Sequence, residues 1–155
     1  MDTLLAANPA ILELHLGYWL RRVSNRVSGM FARALQARHT SVAEWVMLCQ
    51  VKGRPGITPK ELAEALGMTP GAVSKVIDKL EAKQWIRSAK NQADQRVRRL
   101  TLTKSGSATL PRLAEIADGN DQRFFDCLTA AEKATLRRLL KKLAEHHEIR
   151  DVPIE

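Results

Sequence analysis

The chain is predicted to be mainly α-helical with one small β-hairpin, and three observations lead to this fold class. Apolar residues recur at helical spacing along most of the 155 residues. Helix-start and helix-stop signals divide that pattern into helices of different length. One stretch, residues 86–102, instead shows two short strand-like runs around a polar turn.

The N-terminal part is predicted to form one long helix over residues 8–38, followed by a shorter one. The long helix keeps helical spacing for about five turns. The polar stretch His39–Ser41 interrupts the pattern, and Ser41 is a favourable N-cap for a helix that runs through about residue 51. The apolar positions of the long helix are Leu16, Trp19, Leu20, Val23, Val27, Met30, Phe31 and Ala34.

Two short helices separated by a tight turn follow. Thr58 and Glu61 form a capping box around Pro59. Gly67 ends this helix, and Thr69–Pro70 begins the next. The second helix has a buried face and, nearly opposite, a small and polar face that another surface can approach closely. Such a pair is typical of a helix-turn-helix, whose second helix enters the DNA major groove. The buried face comprises Val73, Val76, Ile77 and Leu80, and the outward face comprises Gly71, Ser74, Lys75 and Asp78.

A β-hairpin is predicted directly after the second helix. The runs Ile86–Lys90 and Val97–Leu102 have strand character, and the polar residues 91–95 between them are typical of a turn. Together with the preceding helices they give a winged helix-turn-helix over residues 41–103. From residue 74 to 104 there are nine Lys or Arg and three acidic residues, so this segment carries +6 of the formal net charge of +8. The positive charge therefore lies where DNA phosphates are expected.

Two further helices are predicted after the hairpin. The first begins at Thr103 and contains Pro111, a residue that can kink a helix, and the second begins at the capping box Thr129–Glu132. A single winged region does not require such long helices at both ends. The segments 8–38 and 104–148 are therefore interpreted as dimerisation helices. The alternative is that they pack on the core of their own chain.

Composition restricts the class of protein. With 155 residues, 45% of them apolar, residues 1–155 are predicted to form a single domain. The pI near 9.9 favours a polyanionic partner, which is either nucleic acid or an anionic membrane surface. No apolar run is long enough to span a bilayer, and Asp2 and Glu13 stand where a signal peptide would be basic. A cytoplasmic protein without a membrane partner is expected.

The cysteines and histidines form no recognisable metal or redox motif. Cys49 shares a helical face with Trp45 and Leu48, so it is expected to be a small core residue, and Cys127 has no cationic neighbour in sequence. Adjacent helical residues such as His146 and His147 diverge by about 100° and do not readily chelate one ion. No metal, cofactor or disulfide is expected, and no catalytic motif points to an enzyme.

In the order of its predicted elements, the chain resembles the MarR family of bacterial transcription regulators over almost its whole length, and two stretches agree in sequence. The segment Leu62–Ser74 is similar to the family's recognition segment, and Asp94-Gln95-Arg96 followed by Leu100–Gly106 is similar to its wing signature. The resemblance implies a homodimer with a winged domain on each chain, which binds double-stranded DNA at a pseudo-palindromic operator and is often released by a small ligand. It also implies that Arg96 reaches into the minor groove and that Asp94 helps to hold it.

The predicted DNA-binding residues lie on the second helix, at its start and on the hairpin. Ser74 and Lys75 are expected to face the major groove, where a hydroxyl can bond either a base edge or a phosphate. The other Lys and Arg of this region are either phosphate contacts or solubility charges, and at least half are expected near phosphate. The full set is Thr69, Pro70, Gly71, Ala72, Ser74, Lys75, Lys79, Asp94, Arg96 and Arg98.

A ligand site is predicted on the first helix, from Tyr18, Trp19 and Arg22. The segment 14–43 carries five arginines and no acidic residue, and an aromatic ring beside an arginine can hold a phenolic or carboxylate-bearing ligand. The alternative is that Trp19 belongs to the core and that the arginines pair with acids of the last two helices. Such a ligand is expected in a pocket between the first helix and the winged region.

Two functions of different classes follow. One is a DNA-binding repressor that responds to a ligand; the other is a basic helical scaffold that binds a protein partner or an anionic membrane. The hairpin favours the first, because a scaffold has no use for Arg96 between two wing strands.

Overall fold

The structure, a computed structural model, describes residues 9–90, 97–150 and 152–154. It confirms the predicted fold class, mainly α-helical with a two-stranded antiparallel wing. In chain order the elements are α1 (Pro9–Leu12), α2 (Leu16–Gln36), α3 (Val42–Gly53), α4 (Pro59–Leu66), α5 (Pro70–Ala82), β1 (Ile86–Lys90), β2 (Arg98–Leu102), α6 (Lys104–Phe124) and α7 (Ala130–His146). None of the helices in these residues is both long and apolar enough to cross a bilayer.

The prediction of one unbroken helix over residues 8–38 is wrong. The described part divides into α1 and α2, and His15 between them is extended, with φ −100° and ψ 123°. Leu14 and Leu16 are 80% and 88% exposed, so no buried side chain stabilises a helix at this point. The indole Nε1 of Trp19 donates a hydrogen bond of 2.9 Å to the Glu13 carbonyl, which satisfies a group that the break leaves free.

Capping residues determine where the helices begin. Ser41, Thr58 and Thr129 each form a capping box, in which the hydroxyl accepts from the third helical N–H and a glutamate accepts from the cap N–H. Thr69 and Thr103 cap α5 and α6 with their side chains alone. The predicted helix starts at these positions are therefore confirmed.

The core lies in the winged region. Leu48 of α3, Leu62 of α4, Leu80 of α5 and Leu100 of β2 are completely buried. Leu35 near the end of α2 and Leu113 in α6 join the same core, so the long helices are attached to it. Burial of this kind contributes about 1.5–3 kcal/mol per large side chain.

The hairpin is antiparallel, and Ile86 pairs with Leu102 while Ser88 pairs with Leu100. Its backbone is held to the start of α6, because the Thr103 N–H donates to the Trp85 carbonyl at 3.0 Å. A Cβ at Gly106 would lie 1.9 Å from that carbonyl oxygen. The close approach explains why a glycine stands in the first turn of α6.

Cys49 is not the core residue that the sequence predicted, because it lies at the surface. The inward face of α3 is instead formed by Glu44, Met47, Leu48 and Val51, at the spacing of one helical face. Cys49 is one position beyond this face. Neighbouring atoms still shield part of the side chain, and this burial raises the pKa of the thiol.

Candidate nucleic-acid interface

The turn between α4 and α5 gives the two helices their relative placement. Gly67 adopts the left-handed conformation that ends α4, with φ 60°. The Thr69 hydroxyl accepts a 3.3 Å hydrogen bond from the Ala72 N–H, and Pro70 occupies the first position of α5. The start of α5 is therefore fixed by local hydrogen bonding, and Thr69 and Pro70 are exposed there.

Within the part of the chain that the structure describes, the outward face of α5 is open to solvent. Ser74, Lys75 and Lys79 are exposed, whereas Val73 on the opposite face is fully buried. A Cβ added at Gly71 would meet no atom within 4 Å. Ala72 is half-buried beside this face. The predicted residues of α5 thus lie together at one exposed helix surface, as the sequence pattern indicated.

Arg98, which is among the residues predicted to bind DNA, has its guanidinium directed to α5. Its Nη2 lies 3.3 Å from both carboxylate oxygens of Glu81 and 2.7 Å from the Ser88 Oγ. The Ser88 hydroxyl in turn donates to a Glu81 oxygen. Because Ser88 is on β1 and Arg98 on β2, one acidic residue of α5 contacts both wing strands.

The residues predicted for the wing tip, Asp94 and Arg96, lie outside the described residues. The strands that lead to and from that segment are described. On them, the Arg87 Nε donates to the Thr101 hydroxyl at 3.3 Å, and the Arg99 Nη1 donates to the Gly56 carbonyl at 3.1 Å. Arg87, Arg98 and Arg99 of the basic segment therefore make hydrogen bonds that stabilise the hairpin.

Lys83, which the sequence placed among the possible phosphate contacts, faces inward. Its Nζ lies 2.6 Å from Glu44 Oε1 and 2.6 Å from the His39 carbonyl, and 4.7 Å from the centre of the Trp85 ring. Sequence reasoning missed this cluster. The available signal was Glu44, which occupies the third position of a capping box and has a second carboxylate oxygen to offer.

The environment of Glu44 favours its charged form despite burial. Only 4% of the residue is exposed, and this burial by itself would raise the pKa of the carboxyl. The hydrogen bond and charge of Lys83, together with the hydrogen bonds from Ser41, outweigh it, so the pKa lies below its ordinary value. Lys83 therefore ties the end of α5 to the start of α3.

The three residues predicted to bind a ligand do meet on α2. The Arg22 guanidinium carbon lies 5.9 Å from the centre of the Tyr18 ring and 5.5 Å from that of Trp19, and Arg22 Nη1 donates to the Tyr18 hydroxyl at 3.3 Å. Trp19 is 42% exposed, so it is not a core residue within this chain. The cluster is a surface feature of the N-terminal half of α2.

A cavity of about 660 Å³ lies elsewhere, between the C-terminal end of α2, Trp85 and α6. Three arginines line it, Arg38, Arg112 and Arg123, together with the buried Thr40. This cavity lies where the long helices meet the winged region, which is the general location that the sequence predicted. It does not include Tyr18, Trp19 or Arg22. Among the residues that the structure describes, no three His, Cys, Asp or Glu side chains are grouped as metal ligands.

The helix-turn-helix, the two-stranded wing and the flanking long helices define a winged helix-turn-helix protein. Comparison with known proteins gives its family. The MarR family profile matches residues 40–97. The multiple antibiotic resistance protein MarR of Escherichia coli K12 is 31% identical over 130 residues, which cover 83% of this chain and 90% of that protein. The chain belongs to the MarR family of transcriptional regulators, so the family predicted from the sequence is confirmed.

Solved structures agree with this assignment. A mutant of E. coli MarR complexed with operator DNA is 29% identical and superposes with a TM-score of 0.70, over 83% of this chain and 92% of that one. Bordetella bronchiseptica BpsR, whose DNA binding is regulated by 6-hydroxynicotinic acid, is 25% identical with a TM-score of 0.71, over 84% of this chain and 93% of that one.

Proposed function

We propose that this protein is a homodimeric repressor that binds a pseudo-palindromic operator and releases it when a small phenolic or carboxylate-bearing ligand binds. The observation that carries the proposal is the exposed, small and polar face of α5 beside a basic wing. The operator complex of E. coli MarR and the ligand-regulated DNA binding of BpsR support it by similarity.

Recognition is divided between α5 and the wing. Ser74 and Lys75 contact base edges in the major groove, and Lys79 contacts phosphate. Thr69, Pro70, Gly71 and Ala72 bring the positive end of the α5 dipole to the DNA backbone. Arg96, supported by Asp94, enters the narrow minor groove, whose negative potential attracts arginine.

Selection of operator DNA from a random pool tests this division. Ser74→Ala or Lys75→Ala should cost about 1–3 kcal/mol of operator binding and relax sequence preference at one or two positions per half-site. Arg96→Ala should weaken all sites nearly equally and lower the salt slope by about one unit per subunit. If Arg96→Ala leaves both affinity and slope unchanged while the protein stays folded, the wing is not a DNA contact.

Dimerisation is supported by apolar residues that a single chain leaves uncovered. Leu139 and Leu143 on α7 are 45% and 49% exposed, and Leu20 on α2 is 51% exposed. A two-fold arrangement buries such a stripe against its own copy and presents two α5 helices about one helical turn of DNA apart. The homodimer is held by the helices of residues 8–38 and 104–148.

Two places in the structure are candidates for the ligand site. Tyr18, Trp19 and Arg22 form a surface cluster, and Arg38, Arg112 and Arg123 with Trp85 line the cavity between α2 and α6. The cavity is better suited to a carboxylate, because three arginines and an aromatic ring line it against one acidic residue, Glu115. A ligand there can shift the placement of the winged regions only if it binds one placement more tightly than another. DNA affinity changes when the favoured placement does not fit the operator.

Tryptophan fluorescence distinguishes the two positions. Salicylate serves as the probe, with Trp19→Phe and Trp85→Phe as matched variants. Loss of quenching in Trp85→Phe alone identifies the cavity, and loss in Trp19→Phe alone identifies the surface cluster. If salicylate neither quenches the fluorescence of the wild type nor alters its DNA binding, salicylate is not a ligand of this protein and the proposed pocket is abandoned.

A further inference from the structure

Glu81 is an acidic residue in the most basic part of the chain, and its position is unexpected for a DNA-binding surface. From residue 74 to 104 the acids are Asp78, Glu81 and Asp94. A carboxylate close to DNA repels phosphate, so an acid in this segment weakens binding unless it has another role. The contacts of Glu81 indicate what that role is.

The Glu81 carboxylate connects three elements that are separate in sequence. Both of its oxygens lie 3.3 Å from Arg98 Nη2 on β2, and one accepts from the Ser88 hydroxyl on β1. Arg98 Nη2 also donates to Ser88 Oγ at 2.7 Å, which closes the set into a triangle. The side chains of Glu81 and Arg98 are 30% and 46% exposed, so the ion pair is partly shielded from solvent.

The triangle lies near the end of the hairpin that leads to the wing tip. Lys90, the last residue of β1, pairs with Arg98, the first residue of β2, so Arg98 lies at the end of the ladder nearest the wing tip. At the other end, Thr103 and Trp85 already fix the hairpin to α6. Midway along β2, the Gly56 N–H donates to the Leu100 carbonyl and the Leu100 N–H donates to the Ile57 carbonyl. Among the described residues, the triangle is the attachment nearest the wing tip, and it limits how far that end of the hairpin can move relative to α5.

We infer that Glu81, Ser88 and Arg98 form a tie that sets the wing at a fixed angle to α5, and that Glu81 and Arg98 are positioning residues for operator recognition. The inference rests on the proposed function, in which α5 and the wing contact DNA together. Arg98 acts through Glu81 and is not itself a phosphate contact. Fixing both parts before binding lowers the conformational entropy that the complex must lose.

Removal of the acid gives opposite results under the two explanations. If charge alone matters, Glu81→Ala makes the region more positive and tightens binding to all DNA. If the tie matters, Glu81→Ala weakens operator binding by about tenfold, since each dimer carries two ties, and leaves random duplex unchanged or bound more tightly. The matched control is Glu64→Ala, which removes an exposed acid of the same winged region, on α4, whose 4.0 Å pair with Lys60 is open to solvent.

A double-mutant cycle and a charge swap test the role of Arg98. Arg98→Ala should lower operator affinity as Glu81→Ala does and leave the salt slope unchanged, and the double alanine variant should lose no more than either single variant. Glu81→Arg and Arg98→Glu should each weaken operator binding, and their combination should recover part of it at unchanged net charge. A phosphate contact cannot be recovered in this way, because the swapped chain has a carboxylate where the guanidinium was.

The measurements are affinities for the selected operator and for random duplex at several salt concentrations, with circular dichroism and thermal melting as checks of folding. Failure of the wild type to select any operator overturns the proposed function. If the wild type selects an operator but Glu81→Ala binds it like Glu64→Ala, the tie is overturned alone. A salt slope that falls by about one unit per subunit in Arg98→Ala likewise assigns Arg98 to phosphate and overturns its positioning role.

Discussion

The winged region and the long helices solve the problem of apolar burial in different ways. In the winged region, Leu62, Leu80 and Leu100 are fully buried within one chain. On α7 no described residue is buried, although Leu136 and Leu140 recur at helical spacing. The difference indicates that the core of the winged region, to which Leu35 and Leu113 belong, is completed within one chain, whereas α7 leaves its apolar stripe uncovered.

The total surface of the chain supports this comparison. A compact monomer of 17.3 kDa is expected to expose about 7,800 Å². This chain exposes 11626 Å². The excess exceeds the roughly 800 Å² per partner that a stable interface of ordinary size buries. The exposed leucines of α2 and α7 contribute to this excess, and association with a second copy would remove part of it.

The largest effect is expected when the stripe on α7 is made charged. Leu139→Glu together with Leu143→Glu should yield monomer or unfolded chain, because each leucine contributes up to about 1.5–3 kcal/mol when fully buried and an unpaired carboxylate costs more. Analytical ultracentrifugation measures the outcome. The matched control is Arg138→Gln together with Lys142→Gln, which lowers the net charge by the same two units at exposed positions of the same helix. A wild type that is monomeric at micromolar concentration contradicts the comparison.

A core substitution in the winged region should be the next largest. Leu80→Ala removes a fully buried side chain and should lower the free energy of unfolding by about 2–5 kcal/mol. The loss should appear in chemical denaturation of the winged region at any protein concentration, because this core is built within one chain. If Leu80→Ala lowers the free energy of unfolding less than Leu139→Ala does, the winged region is not the better-buried part of the chain.

Removal of the Lys83 ammonium should have an intermediate effect that depends on pH. Lys83→Met leaves the Glu44 carboxylate buried without its partner and should cost about 1–3 kcal/mol at neutral pH, discounted because Lys83 is itself 27% exposed. In the wild type the pKa of Glu44 is lowered, so its contribution is complete above the ordinary glutamate pKa and is lost as pH falls through the folded value.

The difference in unfolding free energy between wild type and Lys83→Met should therefore shrink on acidification. Protonation removes the charge that the substitution leaves unpaired. Urea denaturation at a series of pH values measures this, and Glu44→Gln serves as the control because it has no carboxylate to titrate. A difference that stays constant from neutral to acidic pH argues against the ion pair as its cause.

Contacts between residues that are close in sequence were easier to predict than contacts between residues that are far apart in sequence. The caps at Thr58, Thr69 and Thr129 are local patterns of four residues, and each was predictable because hydroxyl and backbone N–H groups are close in sequence. The break at His15 was missed because the predicted helix was extended back to residue 8, although its periodic apolar positions begin at Leu16. Periodicity reports the face of a helix and not its continuity.

The ion pairs of the site were not predictable in the same way. Glu81 and Arg98 are 17 positions apart, and Lys83 and Glu44 are 39 apart. From the number of positive charges alone, Lys83 and Arg98 are equally good candidates for contacts with DNA phosphate. Only the packing of α3, α5 and the hairpin shows that both face acids of their own chain. The residues of α5 were predictable because a single helix determines which of them share a face.

The smallest effects are expected from the capping boxes, and they compare the two regions most directly because each region contains one. Thr58→Ala in the winged region and Thr129→Ala at α7 should each cost about 0.5–2 kcal/mol, since each removes a hydroxyl that accepts a helix N–H. In both boxes the hydrogen bonds to the glutamate lower its pKa, so the two local environments are alike.

The consequences of the two substitutions for the dimer should nevertheless differ. Thr58→Ala should lower unfolding stability without changing the dimer dissociation constant. Thr129→Ala should shift dimer dissociation as well, because fraying of α7 removes part of the interface. Sedimentation equilibrium of both variants over a range of protein concentrations measures the difference, and equal dissociation constants would show that α7 does not hold the dimer.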